Sequence, residues 1–273
     1  SIGAFAGSFN KGPLDEIVSI SSEQELVETF GKPDSTNFEY FFSAANFLQY
    51  SNSLRVVRAT QTNAVNASTS GTGVLVKNTD DWTNNYASGG QAGNATFVAR
   101  EAGTDGNNLQ VSTCPNSAAY EQEGATTVND ASTAVGDTVV VAASGAALNV
   151  GDIISFSTTA ATNDYDDGEQ YRVTNISTNN VTIVQHPRGT GGLKRALTDG
   201  SNIRRRWKYY DAVDGAPGTS TYVSERNGTN DEIHVVVVDE DGGISGVPGT
   251  ILETFSKLSK ASDAKDPQGN DNY

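Results

Sequence analysis

The chain has 273 residues, 36% of them hydrophobic and 19% charged, enough Val, Ile, Leu, Phe and Tyr for a packed core, which argues against wholesale disorder. Its 18 Lys and Arg against 33 Asp and Glu leave a net charge of −15, so the overall field repels phosphate backbones and anionic lipid. No apolar run nears the ~20 residues that span a bilayer, residues 1–20 lack a signal-peptide pattern, and the absence of Met marks Ser1 as a processed or truncated start. A soluble protein without membrane insertion is expected.

An opening strand is predicted over Ile2–Phe9. Ser22-Glu23-Gln24-Glu25 then has the form of a capping box, with Leu26, Val27 and Phe30 as the apolar stripe and Gly31 and Pro33 as the stop. Thr36-Asn37-Phe38-Glu39 repeats the capping signal. Phe38, Phe41, Phe42, Ala45 and Leu48 follow at spacings of three and four, which predicts one apolar face of a helix ending near Tyr50. Leu54–Ala59 reads as a strand, so residues 1–60 are expected to run strand, helix, helix, strand around an aromatic core.

From Gln61 to Gly93 the composition turns to Asn, Thr, Ser and Gly, which predicts loop or edge strand. Ala95–Ala99 and Asn108–Ser112 alternate as strands around the turn formers Gly103–Asn107. Residues 126–196 carry short strands at Asp137–Ala142, Asp152–Ser157, Gln170–Val173 and Asn180–Gln185, the pattern of a small β-barrel or sandwich. This segment reads as an insertion, followed by a mixed region over Ile203–Tyr210. Glu232–Val238 is suited to a central strand, Asp239–Gly243 to its turn, and Ile251–Leu258 to a short helix or strand.

Candidate chemistry is sparse. Asp164-Tyr165-Asp166-Asp167-Gly168-Glu169 has clustered carboxylates suited to calcium but lacks the closing Glu of an EF-hand loop, so a solvated hairpin turn is the plainer reading. A nucleophile needs an adjacent base, and the imidazoles, His186 before Pro187 and His234 inside a valine-rich strand, sit in no nucleophile motif. His234 reads instead as a sheet residue with a satisfied ring and His186 as a loop residue. Gly189–Lys194 lacks the full phosphate-loop pattern and reads as a linker. Cys114, the one cysteine, makes no internal disulfide, and no Cys/His spacing for zinc exists. No catalytic, metal or cofactor residues are therefore assigned. Arg204, Arg205, Arg206 and Lys208, interleaved with Trp207, Tyr209 and Tyr210, form the one basic concentration. On so acidic a chain such a stripe suits its own acidic surface or an identical neighbour better than nucleic acid, and the four residues are candidates for an intersubunit contact.

The stretch Asn37–Tyr50 followed by Leu54–Ala59 resembles the contractile tail sheath proteins of T4-like bacteriophages, most of all the form in marine cyanobacterial phages. Gly3–Gly7 with Lys11-Gly12-Pro13, Glu25-Leu26-Val27 leading to Phe30-Gly31-Lys32-Pro33, Ala102–Leu109, the hairpin at Val235–Ile244 and the tail from Leu252 add to that resemblance. It covers residues 1–125 and 197–273. Family members are longer, with an N-terminal arm and a tube-facing C-terminal domain that this sequence lacks. The resemblance implies a non-enzymatic virion subunit, assembled in the host cytoplasm. Its copies polymerise as a helical tube around the tail tube, meet baseplate and tail terminator proteins, and contract to drive the tube through the bacterial envelope. It bears no nucleic-acid partner.

The expected fold is therefore a multi-domain, mixed α/β or α+β chain. Residues 1–60 form the N-terminal part of a sheath core, 61–125 with 197–273 a discontinuous middle domain, and 126–196 an inserted small all-β domain. A β-rich adhesive or carbohydrate-binding surface protein, motivated by 126–196 and by Trp82, Tyr86 and Trp207 as expected exposed aromatics, is the alternative from another class. The sheath of a bacteriocin or secretion system is the alternative from the same class.

Overall fold

The computed structural model describes residues 2–60, 62–69, 73–87 and 95–273. The chain forms two compact units, one of residues 1–111 with 237–252 and one of 112–236 with 253–273. The strands dominate, with short helices between them.

In the first unit, β1 (Gly3–Gly7) and β2 (Ile17–Ile20) flank β3 (Leu54–Arg58), parallel on one side and antiparallel on the other. β2 adds a strand to the expected order. Its four residues, IVSI, are too short for a period to show. Helix α1 (Glu23–Phe30) starts as its capping signal predicts: Ser22 Oγ accepts the Glu25 N–H at 3.2 Å. The returning carboxylate bond goes one residue further, with Glu25 Oε2 accepting from Ser21 N at 2.8 Å, and Gly31 ends the helix at φ 88°.

Helix α2 (Phe38–Leu48) is entered differently. Asp34 Oδ1 takes the N–H groups of Thr36 and Asn37, and Asn37 Oδ1 takes that of Asp34, so the turn before the helix holds the bonds expected of a cap. Its buried face is Phe41, Ala44 and Ala45, packed with Phe9, Ile20, Leu26, Phe30, Leu54 and Val56. Phe38 and Phe42 are 48% and 49% exposed, so two members of the expected apolar stripe lie on its solvent flank. A spacing of four places them together but does not say which flank the sheet covers.

β4 (Asn66–Ser68) pairs antiparallel with β5 (Val98–Ala102), three residues later than the strand expected over Ala95–Ala99. Between them α3 (Thr79–Asn85) corrects the loop reading: Asn78 Oδ1 accepts the Asp81 N–H at 2.9 Å and nucleates a helix in a stretch of low apolar content. Residues 61, 70–72 and 88–93 of that loop assignment lie outside the described residues.

β6 (Leu109–Cys114) leads to the one-turn helix α4 (Ser117–Tyr120) and to β7 (Glu121–Thr127), β8 (Val139–Val141), β9 (Ile153–Ala160), β10 (Gln170–Ser177), β11 (Asn180–His186) and β12 (Ser201–Arg206). These last six form a sheet of order β7-β12-β9-β10-β11-β8. Its two ends meet: Val128 bridges Ala142, Asn129 N donates to Val141 O and Ala143 N to Thr127 O, both at 2.8 Å. The sheet is thereby a closed six-stranded barrel, filled by Val128, Val140, Leu148, Ile154, Phe156, Tyr171, Val173, Val181, Ile183, Leu193, Leu197 and Ile203. The segment 126–196 thus shares its sheet with the flanking strands β7 and β12, so Ile203–Arg206 is a barrel strand rather than part of a mixed region.

The one-turn helix α5 (Thr221–Ser224) precedes β13 (Glu232–Asp239) and β14 (Thr250–Ser259), which with β6 make a sheet of order β14-β13-β6. β13 is the central strand predicted for it, and Ile251–Leu258 resolves as strand. Asp239 Oδ2 organises the turn by accepting from the N–H groups of Ile244 (3.0 Å) and Ser245 (2.6 Å).

Candidate functional site

Two arginine-centred constellations stand out, one in each unit. In the first, Arg58 at the end of β3 is 6% exposed. Its guanidinium donates to the carbonyls of Phe9 (2.8 Å), Gly12 (2.8 Å), Ala102 (2.7 Å) and Asn10 (3.0 Å). Burial lowers its pKa, and the nearby carboxylates of Glu101 and Asp105 oppose that. Glu101 Oε2 also accepts the Gly12 N–H at 2.6 Å. The β1–β2 loop and the β5–β6 connection are thus tied through one side chain. Gly103 (φ 129°) makes this approach possible: a Cβ there would lie 2.5 Å from Asn10 O. Beside this tie runs a groove of about 540 Å³ lined by Lys11, Gly31, Lys32, Pro33, Glu101 and Leu109 among others. Segments remote in sequence, Lys11-Gly12-Pro13, Phe30–Pro33 and Ala102–Leu109, therefore meet on one surface.

The second constellation contains the candidate contact residues. On β12, Arg204 and Arg206 alternate on one face and Arg205 on the other. Arg204 donates to Ser155 Oγ (3.2 Å) and to Asp167, stacks 4.6 Å over the Tyr165 ring and lies 3.5 Å from Glu121 Oε1. Arg206 Nε donates to the same Glu121 Oε1 at 3.1 Å and its guanidinium covers the Tyr210 ring at 5.1 Å. Arg205 pairs with Asp152 at 3.4 Å and donates to Ala118 O at 3.1 Å. Lys208 Nζ lies 4.9 Å over the Tyr209 ring. The arginine side chains are only 8%, 13% and 16% exposed, and acidic groups of their own unit meet each of them.

These pairs divide the local carboxylates. The Arg204 hydrogen bond holds Asp167 below its ordinary value, while burial pushes Asp152 above it despite its bonds to Asn149 and Arg205. For Arg206, burial lowers the pKa but the Glu121 carboxylate more than compensates, so the net shift is upward.

The other sequence candidates take structural places. Asp166 Oδ1 accepts the Gly168 N–H, Asp167 faces Arg204, and Glu169 bonds Arg195 at 2.9 Å. The acidic turn is thus spent on its own unit, and among the described residues no group of three His, Cys, Asp or Glu is placed to hold a metal. In the Gly189–Lys194 segment, Gln185 Nε2 donates to Gly192 O, and the N–H groups of Gly189, Leu193 and Lys194 go to Gln185 O, Asp137 O and the Tyr171 hydroxyl. His234 is fully buried: Nδ1 accepts the Lys257 N–H and Nε2 lies against Gly215 O, both at 2.9 Å. Its tautomer is fixed with the proton on Nε2. His186 ends β11, and burial lowers its pKa. Cys114 is buried and its thiol is pushed up to about 11 by that burial. Trp207, grouped above with exposed aromatics, is 7% exposed and donates from Nε1 to Ser112 Oγ at 3.0 Å. Trp82 does reach solvent and stacks on Tyr86 at 6.0 Å.

A family model described as the tail sheath protein Gp18 domain III N-terminal region matches residues 1–59. Over 56 residues the chain is 54% identical to the tail sheath protein of Enterobacteria phage T4, and over 55 residues 44% identical to that of Vibrio phage KVP40. Each match covers 20% of this chain, and the chain spans only 8% of the length of either curated relative. The matched proteins are structural proteins, not enzymes. The matched residues are those that build β1, β2, α1, α2 and β3, and they end one residue beyond Arg58.

Proposed function

We propose that the chain serves as a structural subunit, or a portion of one, of a phage contractile tail sheath. In this reading copies polymerise as a helical tube around a tail tube and shorten to drive that tube through the bacterial envelope. The observation that carries the proposal is the 54% identity over residues that fold as one coherent α/β unit with its own core. The Arg58 tie supports extending the sheath-like region beyond the matched stretch, because it ropes the Ala102–Leu109 segment to the matched residues.

Sheath function needs a body whose neighbour contacts exist in two alternative sets, and heterologous contacts that do not close give helical assembly. The proposed partners are further copies, a tail tube protein, and baseplate and terminator proteins, with assembly in the host cytoplasm. Arg204, Arg205, Arg206 and Lys208 enter this proposal as an exchangeable contact, in which carboxylates of a neighbour compete with Glu121, Asp152 and Asp167 for the same guanidinium groups. Charge reversal at Lys208, the residue of the four that lies off the barrel strand, is expected to change the salt dependence of assembly in a folded variant; an unchanged dependence removes this stripe from the lattice.

Negative-stain electron microscopy of the native particle tests the main reading. Striated hollow tubes or stacked rings labelled by an antibody to this chain are expected; label confined to fibres or absent from tails overturns it. The stacked Trp82–Tyr86 pair favours the carbohydrate-binding alternative, which glycan-array binding by the folded chain, lost in Trp82→Ala, would establish in its place.

A further inference from the structure

Arg58 has one N–H to spare. A guanidinium carries five N–H donors, and the four bonds of Arg58 to carbonyls engage one on Nε, two on Nη1 and one on Nη2. The second Nη2 N–H has no acceptor among the described residues. Nor does a carboxylate among them stand within ion-pair distance of the side chain; Glu101 and Asp105 act on it only through space. A buried cation with neutral partners and an unspent donor is incompletely compensated. The Nη2 bond is the part-buried one of the four, and Nη2 lies 3.1 Å from where a Cβ on Gly103 would stand.

Arg58 and Gly103 both line a cavity of about 370 Å³ within the first unit. Arg58 is the sole charged residue of its lining, although the chain carries 33 Asp and Glu. Glu101 and Asp105 line the groove described above and not this cavity. Asn63, Thr104 and Asn107 bring exposed amide and hydroxyl groups that have no protein partner among the described residues, and Ala64, Val65 and Ala67 bring apolar side chains.

We propose that this cavity binds a carboxylate carried on a short apolar body, the carboxylate accepting the spare Nη2 N–H of Arg58 and the body lying against Ala64, Val65 and Ala67. Charge selects the class: one guanidinium, offset through space by two acids, balances a single negative charge better than the two of a phosphate monoester. The volume falls within the range of small-molecule sites and leaves room for more than the carboxylate itself. A free acid and a Glu or Asp side chain of a second copy offer the same group, and the experiment separates them. This inference goes beyond the sheath proposal and does not rest on it.

NMR of the full chain titrated with sodium acetate and with sodium butyrate, chloride being withdrawn to hold ionic strength, tests it. Saturable shifts of the Arg58 Nε–H signal and of the Gly103, Thr104 and Asn107 amides are expected. Butyrate is expected to bind about tenfold tighter than acetate, because two further CH2 groups leave water. Replacing Arg58 would disturb the fold, so the site is challenged from its rim. Asn63→Asp and Asn107→Asp each place a competing carboxylate at the cavity and are each expected to weaken acetate binding about tenfold, whereas Asn46→Asp, the same change on the exposed surface of α2, leaves it unchanged. Sedimentation in the same buffers distinguishes the sources: self-association that butyrate reverses assigns the site to a carboxylate of a second copy, and a monomer throughout assigns it to a free acid. Shifts that do not saturate, that chloride reproduces, or that both aspartate variants leave unchanged overturn the inference.

Discussion

The two units bury arginine by opposite means. Arg58 sits among backbone carbonyls, with its nearest carboxylates acting only through space, whereas Arg204, Arg205 and Arg206 each meet a carboxylate directly. A carbonyl cage gives every nitrogen of the guanidinium a partner and fixes the paths of several loops, but it has no second partner to trade for. A carboxylate pair adds Coulombic energy, depends on pH and salt, and can be exchanged for another acid. The first arrangement is insensitive to salt and titration, and the second is sensitive to both.

Breaking the cage is expected to have the largest effect. Arg58→Met leaves the carbonyls of Phe9, Asn10, Gly12 and Ala102 without their donor, and a loss of about 3 kcal/mol or more is expected in urea unfolding, with the loss confined to probes of the first unit. Gly103→Ala attacks the same tie from the backbone side. With φ at 129° and Asn10 O 2.5 Å from the new Cβ, a loss of about 2–3 kcal/mol is expected in the same assay.

In the barrel, Glu121→Gln removes the charge shared by Arg204 and Arg206. The glutamate is 34% exposed, so screening limits the expected loss to about 1 kcal/mol, and it should shrink further at high salt. A difference of several kcal/mol, or one independent of salt, would mean that the barrel arginines are held as Arg58 is.

The smallest effect is a change of slope. Asp152 has its pKa raised, so its contribution to stability is fully present below its ordinary 3.8 and is lost as pH rises through the higher folded value. Asp167, with its pKa lowered, contributes above the ordinary value and loses that contribution as pH falls through the lower folded one. The two oppose each other on acidification. Asp152→Asn is therefore expected to steepen the fall in urea midpoint between neutral pH and pH 3, and an unchanged profile would place Asp152 in contact with water.

Features built from neighbouring residues were legible in the sequence. The Ser22–Glu25 cap, the Gly31 stop, the four barrel strands between residues 137 and 185 and the central strand β13 rest on short spacings that chain chemistry dictates. Features that depend on distant partners were not. β2 is too short to show a period, and α3 is announced only by Asn78 and Asp81. Which flank of α2 is buried depends on where the β1–β3 sheet lies. Arg204 finds Asp167 across 37 residues and Arg206 finds Glu121 across 85, so a run of basic residues gave the composition of the stripe but not its neutralisation. For the same reason Arg58, whose nearest bonded carbonyl lies 44 residues away, carries no signal of its role.

The chain's two tryptophans fall one in each unit, Trp82 on α3 at 38% exposure and Trp207 beyond β12 at 7%. Intrinsic fluorescence therefore supplies a separate optical reporter for each half of the molecule, red-shifted for Trp82 and blue-shifted for Trp207. With Trp82→Phe and Trp207→Phe chains, unfolding of the first unit and of the second becomes distinguishable by wavelength alone.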